Sequence, residues 1–296
     1  MMATTQSGSQ RSMFRRMASF LRWRLVPVRK AGRLRFIGPD RLRSPVAGGK
    51  TAASTQVERT GHAEGPLMPA ELIAATRAYY EPRIPAPEKI PPGRPHVNLA
   101  WAEDYNAGNP LLQWVFRADV IDAAIDYFSG RCRLDGINLL YSPARPGGAL
   151  SESQFWHRDY DDSRSFHAIT YLNDVLDEDA GPFVFVDKAD TRRISGSPII
   201  RRIDDPTFEA ELGDGQIHRF YGEAGSTVFV DPAACYHYGS RCQRERMAVF
   251  LTFNSDMPYT KPDRAVTDNA QAILEGAVAL RPDLDEKVLA RLVGLG

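Results

Sequence analysis

Six short runs between residues 137 and 253 set the strongest limit on what this chain can fold into. They are INLLYS (137–142), SQFWHRD (153–159), HAITYL (167–172), PFVFVD (182–187), STVFVD (226–231) and RMAVFLTF (246–253). β-branched and aromatic residues dominate them, and Gly, Pro, Asp and Asn punctuate the intervals. A further short strand is expected around Cys235–Tyr238. Runs of this length and punctuation predict a β-sandwich or barrel.

Helical texture flanks this region. Residues 69–80 (PAELIAATRAYY) predict a helix, and a Pro-rich connection follows from Pro82 to Pro95. Helical apolar spacing returns over 109–129, through Leu112, Val115, Phe116, Val120, Ile121, Ala124, Ile125 and Phe128, and again over 266–294. The expected class is therefore mainly β with flanking helices. Residues 44–65, rich in Gly, Ala, Ser and Thr, read as a linker. The domain expectation is a basic, flexible extension and linker over 1–65 and a folded domain over 66–296. Within the latter, 66–135 is a helical flank, 136–258 the β core, and 259–296 the C-terminal helices.

Charge separates the two parts. The whole chain has 37 basic and 37 acidic residues, so its neutrality gives no reason to expect nucleic acid. Residues 1–50 carry twelve Lys and Arg against Asp40 alone. Within them SMFRRMASFLRWRL (12–25) sets Met13, Phe14, Met17, Phe20 and Leu21 at helical spacing among arginines. Such a segment suits peripheral contact with an anionic membrane surface, docking on a partner, a solubilising arm, or an Arg-rich transit peptide. No apolar run approaches the roughly 20 residues of a membrane span. Cys132, Cys235 and Cys242 form no CxxC pair and are odd in number, so neither a disulfide framework nor a zinc site is indicated. A reducing, cytoplasmic setting fits. Oligomeric state is not legible.

The chemistry concentrates in QFWHRDYDD (154–162). On a strand, residues two apart share a face, so His157 and Asp159 converge while Arg158 points away. An imidazole and a carboxylate on one face are two members of the 2-His-1-carboxylate triad of non-haem iron(II). The third must come from another strand. His237 is the candidate, lying between STVFVDP and RMAVFLTF. HxD alone is common, and a single histidine near a strand end is more often structural. The set carries the argument. Arg246 heads the apolar run MAVFLTF, and its planar fork there suits a carboxylate. Arg244 shares its strand parity, so periodicity cannot separate the two.

Residues 137–253 resemble the phytanoyl-CoA dioxygenase family of iron(II)- and 2-oxoglutarate-dependent oxygenases. The matching segments are FWHRDYDD (155–162), ITYLNDVLDEDAGPFVFVD (169–187), GSTVFVDPAACYHYGS (225–240) and RMAVFLTF (246–253). The resemblance implies a double-stranded β-helix, a cupin-like jelly-roll, with Fe(II) held by His157, Asp159 and His237. It implies that 2-oxoglutarate and O2 take the remaining positions, with release of succinate and CO2 and oxidation of a substrate C–H bond. Arg246 would bind the far carboxylate of 2-oxoglutarate, with Ser240 assisting, although HYGSR displaces Ser240 by a residue. The family's turn after the Gly-Pro strand is replaced here by VDKADTRR (186–193). Asp159 stands where a related halogenase needs a small residue, which favours hydroxylation.

Gln154 and Trp156 fall on the face opposite His157, and Tyr141 and Thr170 flank the pocket in sequence. Either face of 137–142, Asn138 and Leu140 or Ile137, Leu139 and Tyr141, could look inward. His167 and His218 fit structural roles better than site roles, and His62 and His96 fall outside the barrel. Segment 188–224 reads as a polar insertion at the mouth, whose Arg192, Arg193, Arg201 and Arg202 would suit an anionic substrate as readily as solvent. The leading reading is a hydroxylase of a small-molecule or lipid- or glycan-linked substrate. Its competitors are a protein side-chain hydroxylase, a cupin-type metalloenzyme without 2-oxoglutarate, and an inactive scaffold attached through its basic N-terminus.

Overall fold

The computed structural model describes residues 51–91, 93–195, 202–256 and 258–296. The basic segment 12–25 and Arg201 lie outside the described residues. In chain order the first elements are α1 (Ala52–Thr60), β1 (His62–Glu64), α2 (Ala70–Tyr80), β2 (Val97–Asn98), α3 (Pro110–Val115) and α4 (Ala118–Tyr127). Then come β3 (Cys132–Ser142), β4 (Ser165–Tyr171), β5 (Phe183–Phe185), α5 (Lys188–Thr191), α6 (Asp205–Leu212) and β6 (His218–Phe220). The last are β7 (Thr227–Val230), β8 (His237–Tyr238), β9 (Arg246–Ser255), α7 (Arg264–Thr267), α8 (Ala270–Leu280) and α9 (Glu286–Leu292).

Two antiparallel sheets face each other, in the order β1-β7-β4-β9-β3-β2 and β6-β5-β8. Single bridges extend the smaller sheet beyond β8, from His237 to His157 and from Trp156 to Ile203. This is the jelly-roll arrangement, with helices packed outside it.

Alternation along each strand separates inside from outside. Phe166, Ala168, Val249, Leu251, Phe253, Ile137 and Leu139 join the helical core with Trp114, Ile121, Ile125 and Ile273. Ile169, Tyr171, Val228, Val230, Phe183, Phe185 and Ala248 cluster between the sheets. The outer face of the smaller sheet carries Trp156, Val184, Val186, Ile203, Tyr236 and Tyr238. Helix α6 covers that face: Phe208 stacks on Trp156 with ring centroids 3.9 Å apart. Asp204 caps α6 by accepting from Thr207 N, and Pro206 sits in its first turn.

Several elements differ from expectation. The linker expected over 44–65 is helix and strand from Ala52 onward. Thr51 caps α1, and β1 pairs with β7 through His62–Val230 and Glu64–Val228. Gly61 turns the chain between them at φ 95°, and a Cβ there would meet Cys235 Sγ at 2.2 Å. Small polar residues disguise these elements because few of their side chains enter the core. The strand expected over 153–159 is instead a 3-10 turn, Glu152–Gln154, followed by isolated bridges. Ser151 and Gln154 close a capping box around that turn. The helical spacing over 109–129 is realised as two helices, α3 and α4. Segment 188–224 contains α5, α6 and β6 rather than an extended polar loop, because Phe208 and Leu212 bury themselves on the smaller sheet.

Phe208→Ala should lower stability by about 3–5 kcal/mol in urea denaturation, because it opens a cavity over Trp156. A loss below about 1 kcal/mol would show that α6 does not hold this face.

Candidate metal centre

The site is built from two backbone contacts. His157 and His237 exchange hydrogen bonds, His157 N to His237 O at 3.0 Å and His237 N to His157 O at 2.9 Å. Asp159 N donates to Pro232 O at 2.9 Å, tying it to the turn that leaves β7. That turn is anchored by Asp231, which accepts from the Tyr127 hydroxyl of α4 at 2.5 Å and from Ser165 N at 3.1 Å. Asp159 therefore reaches the histidines without a regular strand beneath it.

His157, Asp159 and His237 bring one ligand atom each within 4.8 Å of one another, among the described residues the one such group able to hold a metal ion. Asp159 Oδ1 lies 3.6 Å from His157 Nε2 and 3.8 Å from His237 Nε2. Each imidazole is oriented from behind. His157 Nδ1 is 2.8 Å from Phe155 O, and His237 Nδ1 is 3.1 Å from Cys235 O. A carbonyl only accepts, so each Nδ1 carries the proton and each Nε2 presents a lone pair inward. Such backing contacts fix tautomer and ring orientation at metal sites.

Electrostatics agree with this arrangement. Burial, then the neighbouring His237 and Arg202, holds His157 well below the ordinary imidazole value. Burial takes His237 down to about 4. Burial and the nearby Asp161 push Asp159 up to about 7, against the opposing pull of Arg202. Two neutral imidazoles and a poorly compensated carboxyl form a donor set that a divalent cation would complete.

Arg246 and Arg244, indistinguishable by periodicity, separate sharply. Arg244 is exposed and paired with Asp177 at 2.5 Å. Arg246 is 1% exposed. Its Nη2 donates to Ser240 Oγ at 2.8 Å, and its Nη1 donates to the Gly181 carbonyl. Its Nε has no hydrogen-bond partner, and among the described residues no carboxylate pairs with it. Ser240, at φ 60°, is brought to the guanidinium despite its displaced position in sequence. The Ser142 hydroxyl donates to Ser240 Oγ at 3.2 Å, and Gln154 Nε2 donates to Ser240 O at 2.7 Å. Gln154 thus contributes through the bend that the 3-10 turn supplies. Gly181 is at φ 66°, and a Cβ there would meet Cys242 Sγ at 2.4 Å.

A cavity of about 470 Å³ adjoins this interior, lined by Asn98, Asn138, Leu140, Glu152, Phe250 and Thr252 among others. The inward face of 137–142 is therefore that of Asn138 and Leu140. Tyr141 instead donates to Glu245, and Thr170 accepts from Trp114 Nε1 on the helical side. Trp156 packs outward as expected, and Arg158 lies over the Tyr236 ring on the same side.

Three histidines take places that the sequence did not indicate. His96 lines the cavity rather than falling outside the barrel. His62 sits on β1, its ring 5.0 Å from His218 and 4.8 Å from Phe185. His167, on β4 opposite Thr252, brings Nε2 to 3.8 Å from Asp159 Oδ2, and that nitrogen is buried without a hydrogen-bond partner. Its strand parity with Ile169 and Tyr171 was the available signal.

No family model and no curated protein sequence matches the chain. Solved structures do. One is the non-heme alpha ketoglutarate dependent carbocyclase SnoK from nogalamycin biosynthesis, with TM-score 0.52 and 16% identity over 76% of this chain and 94% of that one. Another is EctD from S. alaskensis with 2-oxoglutarate and 5-hydroxyectoine, with TM-score 0.51 and 16% identity over 74% of this chain and 81% of that one. The likeness is one of fold.

The raised carboxyl of Asp159 has a consequence for stability. Its value in the folded chain exceeds the ordinary 3.8, so ionisation opposes folding. The cost is absent below about pH 4, grows toward pH 7 and is complete above it. Metal-free Asp159→Asn should therefore exceed the wild type in stability by roughly 2–4 kcal/mol near pH 8 and match it near pH 4. Urea titrations in chelator read this, and equal stability at the higher pH would contradict an uncompensated carboxylate.

Proposed function

We propose that this protein is an Fe(II)- and 2-oxoglutarate-dependent oxygenase that oxidises a C–H bond of a small-molecule substrate. The observation that carries this reading is the buried guanidinium of Arg246, which has no anion of its own in the interior that also holds the triad. A buried charge without a counter-charge is costly. A dicarboxylate co-substrate supplies that counter-charge whenever it binds. A cupin-type metalloenzyme without 2-oxoglutarate gives Arg246 no such purpose. Two structural neighbours add support, one described as alpha ketoglutarate dependent and the other solved with 2-oxoglutarate.

The roles of the chain's own residues follow from their positions. His157 and His237 would offer Nε2 to the iron, with Phe155 O and Cys235 O preventing the rings from rotating. Asp159 would supply the single negative ligand, and its carboxyl must lose its proton to do so. Arg246 would clamp the far carboxylate of 2-oxoglutarate, held in place by Ser240 Oγ and Gly181 O. The bound iron supplies oxidative decarboxylation of 2-oxoglutarate by O2 and the oxidising equivalent for C–H cleavage. Leu140 and Phe250 give the adjoining cavity an apolar patch among polar residues such as Asn98, Asn138 and Glu152, against which the carbon skeleton of a substrate would pack. With Asp159 present as a carboxylate ligand, no position is vacated for a halide, so hydroxylation is the first product to seek.

Purified protein should bind one Fe(II) per chain and release succinate from 2-oxoglutarate without added substrate, and a chelator should abolish both. His157→Ala should lose iron while keeping its circular dichroism spectrum. Unchanged iron content would refute the ligand assignment, and absence of both iron and succinate would sink the oxygenase reading. Arg246→Gln should raise the KM for 2-oxoglutarate about 30-fold or more, since removing one partner of a buried charge pair costs roughly 2–5 kcal/mol. Arg244→Gln should leave that KM unchanged; the reverse pattern would move the anchor to Arg244.

A further inference from the structure

The inner face of the smaller sheet ends in an arginine. Phe185 pairs with His237, and His237 bridges to His157. On the far side, Trp156 and Ile203 exchange backbone hydrogen bonds of 3.1 and 2.9 Å in an antiparallel bridge. One step beyond such a pair the next two residues again lie opposite each other, here His157 and Arg202. Trp156 and Ile203 both enter the outer cluster under α6. Alternation therefore turns His157 and Arg202 to the interior together. The row across the sheet runs Phe185, His237, His157, Arg202. The charge of Arg202 is felt by all three residues of the triad, in keeping with this placement.

Arg202 is exposed, and among the described residues it has no hydrogen bond or ion pair. Two other arginines of the 188–224 segment are spent elsewhere. Arg193 pairs with Asp190 at 3.1 Å and also with Asp214, and Arg219 pairs with Glu178. The acids around the triad are also engaged. Asp161 accepts from the Thr260 hydroxyl at 3.0 Å, and Asp231 accepts from Tyr127 and faces Lys188 at 3.8 Å. Arg246 is buried on β9 against Ser240 and Gly181, so the two guanidiniums serve different positions. The inner face thus presents one cation suited to the co-substrate and a second, solvent-accessible cation beside the metal ligands.

We propose that Arg202 binds a carboxylate or phosphate group of the primary substrate and holds that substrate against the metal face. The planar fork of a guanidinium suits either oxyanion bidentately, and such contacts fix orientation as well as affinity. Held through this group beside His157, the substrate presents its neighbouring carbons to the centre. The primary substrate is then a small acid or phosphate ester rather than a neutral molecule. This rests on the oxygenase reading above and adds the charge of the molecule oxidised.

The test uses the full chain, in excess over Mn(II), with 2-oxoglutarate and without O2. Inorganic phosphate is titrated by phosphorus NMR, and acetate separately by its methyl proton signal. Saturable broadening by bound Mn(II) is expected for at least one probe: phosphate alone points to a phosphate ester, acetate alone to a carboxylic acid. Arg202→Gln should reduce that broadening about fivefold or more, the loss of a charge-assisted contact. Its affinities for Mn(II), read by EPR, and for 2-oxoglutarate should remain within about twofold. Arg193→Gln should broaden as the wild type does. Equal broadening in wild type and Arg202→Gln, or no broadening of either probe, overturns the proposal and leaves the oxygenase reading intact. Loss of 2-oxoglutarate affinity in Arg202→Gln assigns Arg202 to the co-substrate and also overturns it. Failure to bind Mn(II) at all removes the metal reading and this proposal with it.

Discussion

The site depends on the reciprocal backbone pair between His157 and His237. Those two hydrogen bonds join a strand end to a segment that has little regular structure of its own. They also set which way each side chain points. A slip of one residue would send His157 into the outer cluster and bring Trp156 into the metal face. Outer packing resists that slip, because Trp156 stacks on Phe208 and meets Tyr238 edge-on at 4.7 Å. The apolar outside of the smaller sheet therefore enforces the polar inside.

Arg246 poses the opposite problem, a charge kept where hydrophobic burial would ordinarily exclude one. Its stem belongs to a strand whose alternate residues Met247, Val249 and Leu251 pack on the helices. The strand cannot rotate to expose the guanidinium without losing that core. Ser240 and Gly181 satisfy part of it, and Tyr171 lies beneath it with the ring centroid 5.8 Å away. What the protein leaves unsatisfied there is aligned with what the proposed co-substrate offers.

The fold class was legible because period-two runs with Gly and Pro punctuation survive in the observed strands almost residue for residue, as at β4 and β9. The convergence of His157, Asp159 and His237 was legible from residue type and order. The strand assumed beneath His157 was not needed, since single bridges and Pro232 O do the positioning. What escaped reading depended on tertiary neighbours. Thr51–Glu64 lacks apolar periodicity, yet β1 gains a partner in β7. His96 carries no local mark of the cavity, and the parity of His167 with Ile169 and Tyr171 marks its face of β4 but not its nearness to Asp159. Arg244 and Arg246 differ in burial and in partners, neither of which parity encodes. Arg202 stood among similar arginines in a polar stretch, and the pairing of Ile203 with Trp156 sets it apart.

The pairing of positions 157 and 237 also bears on how the protein would come to hold an ion. The two histidines are separated in the chain by β4, β5 and β7, so their pairing is a long-range contact. Contacts of such sequence separation close late, since their loop entropy must be met first. An ion cannot nucleate this fold as it does a zinc finger, whose ligands are close in sequence. On the oxygenase reading, a metal would therefore enter a barrel whose strands already hold the three side chains together. Which cation occupied the site would then depend on the cations that surround the folded protein.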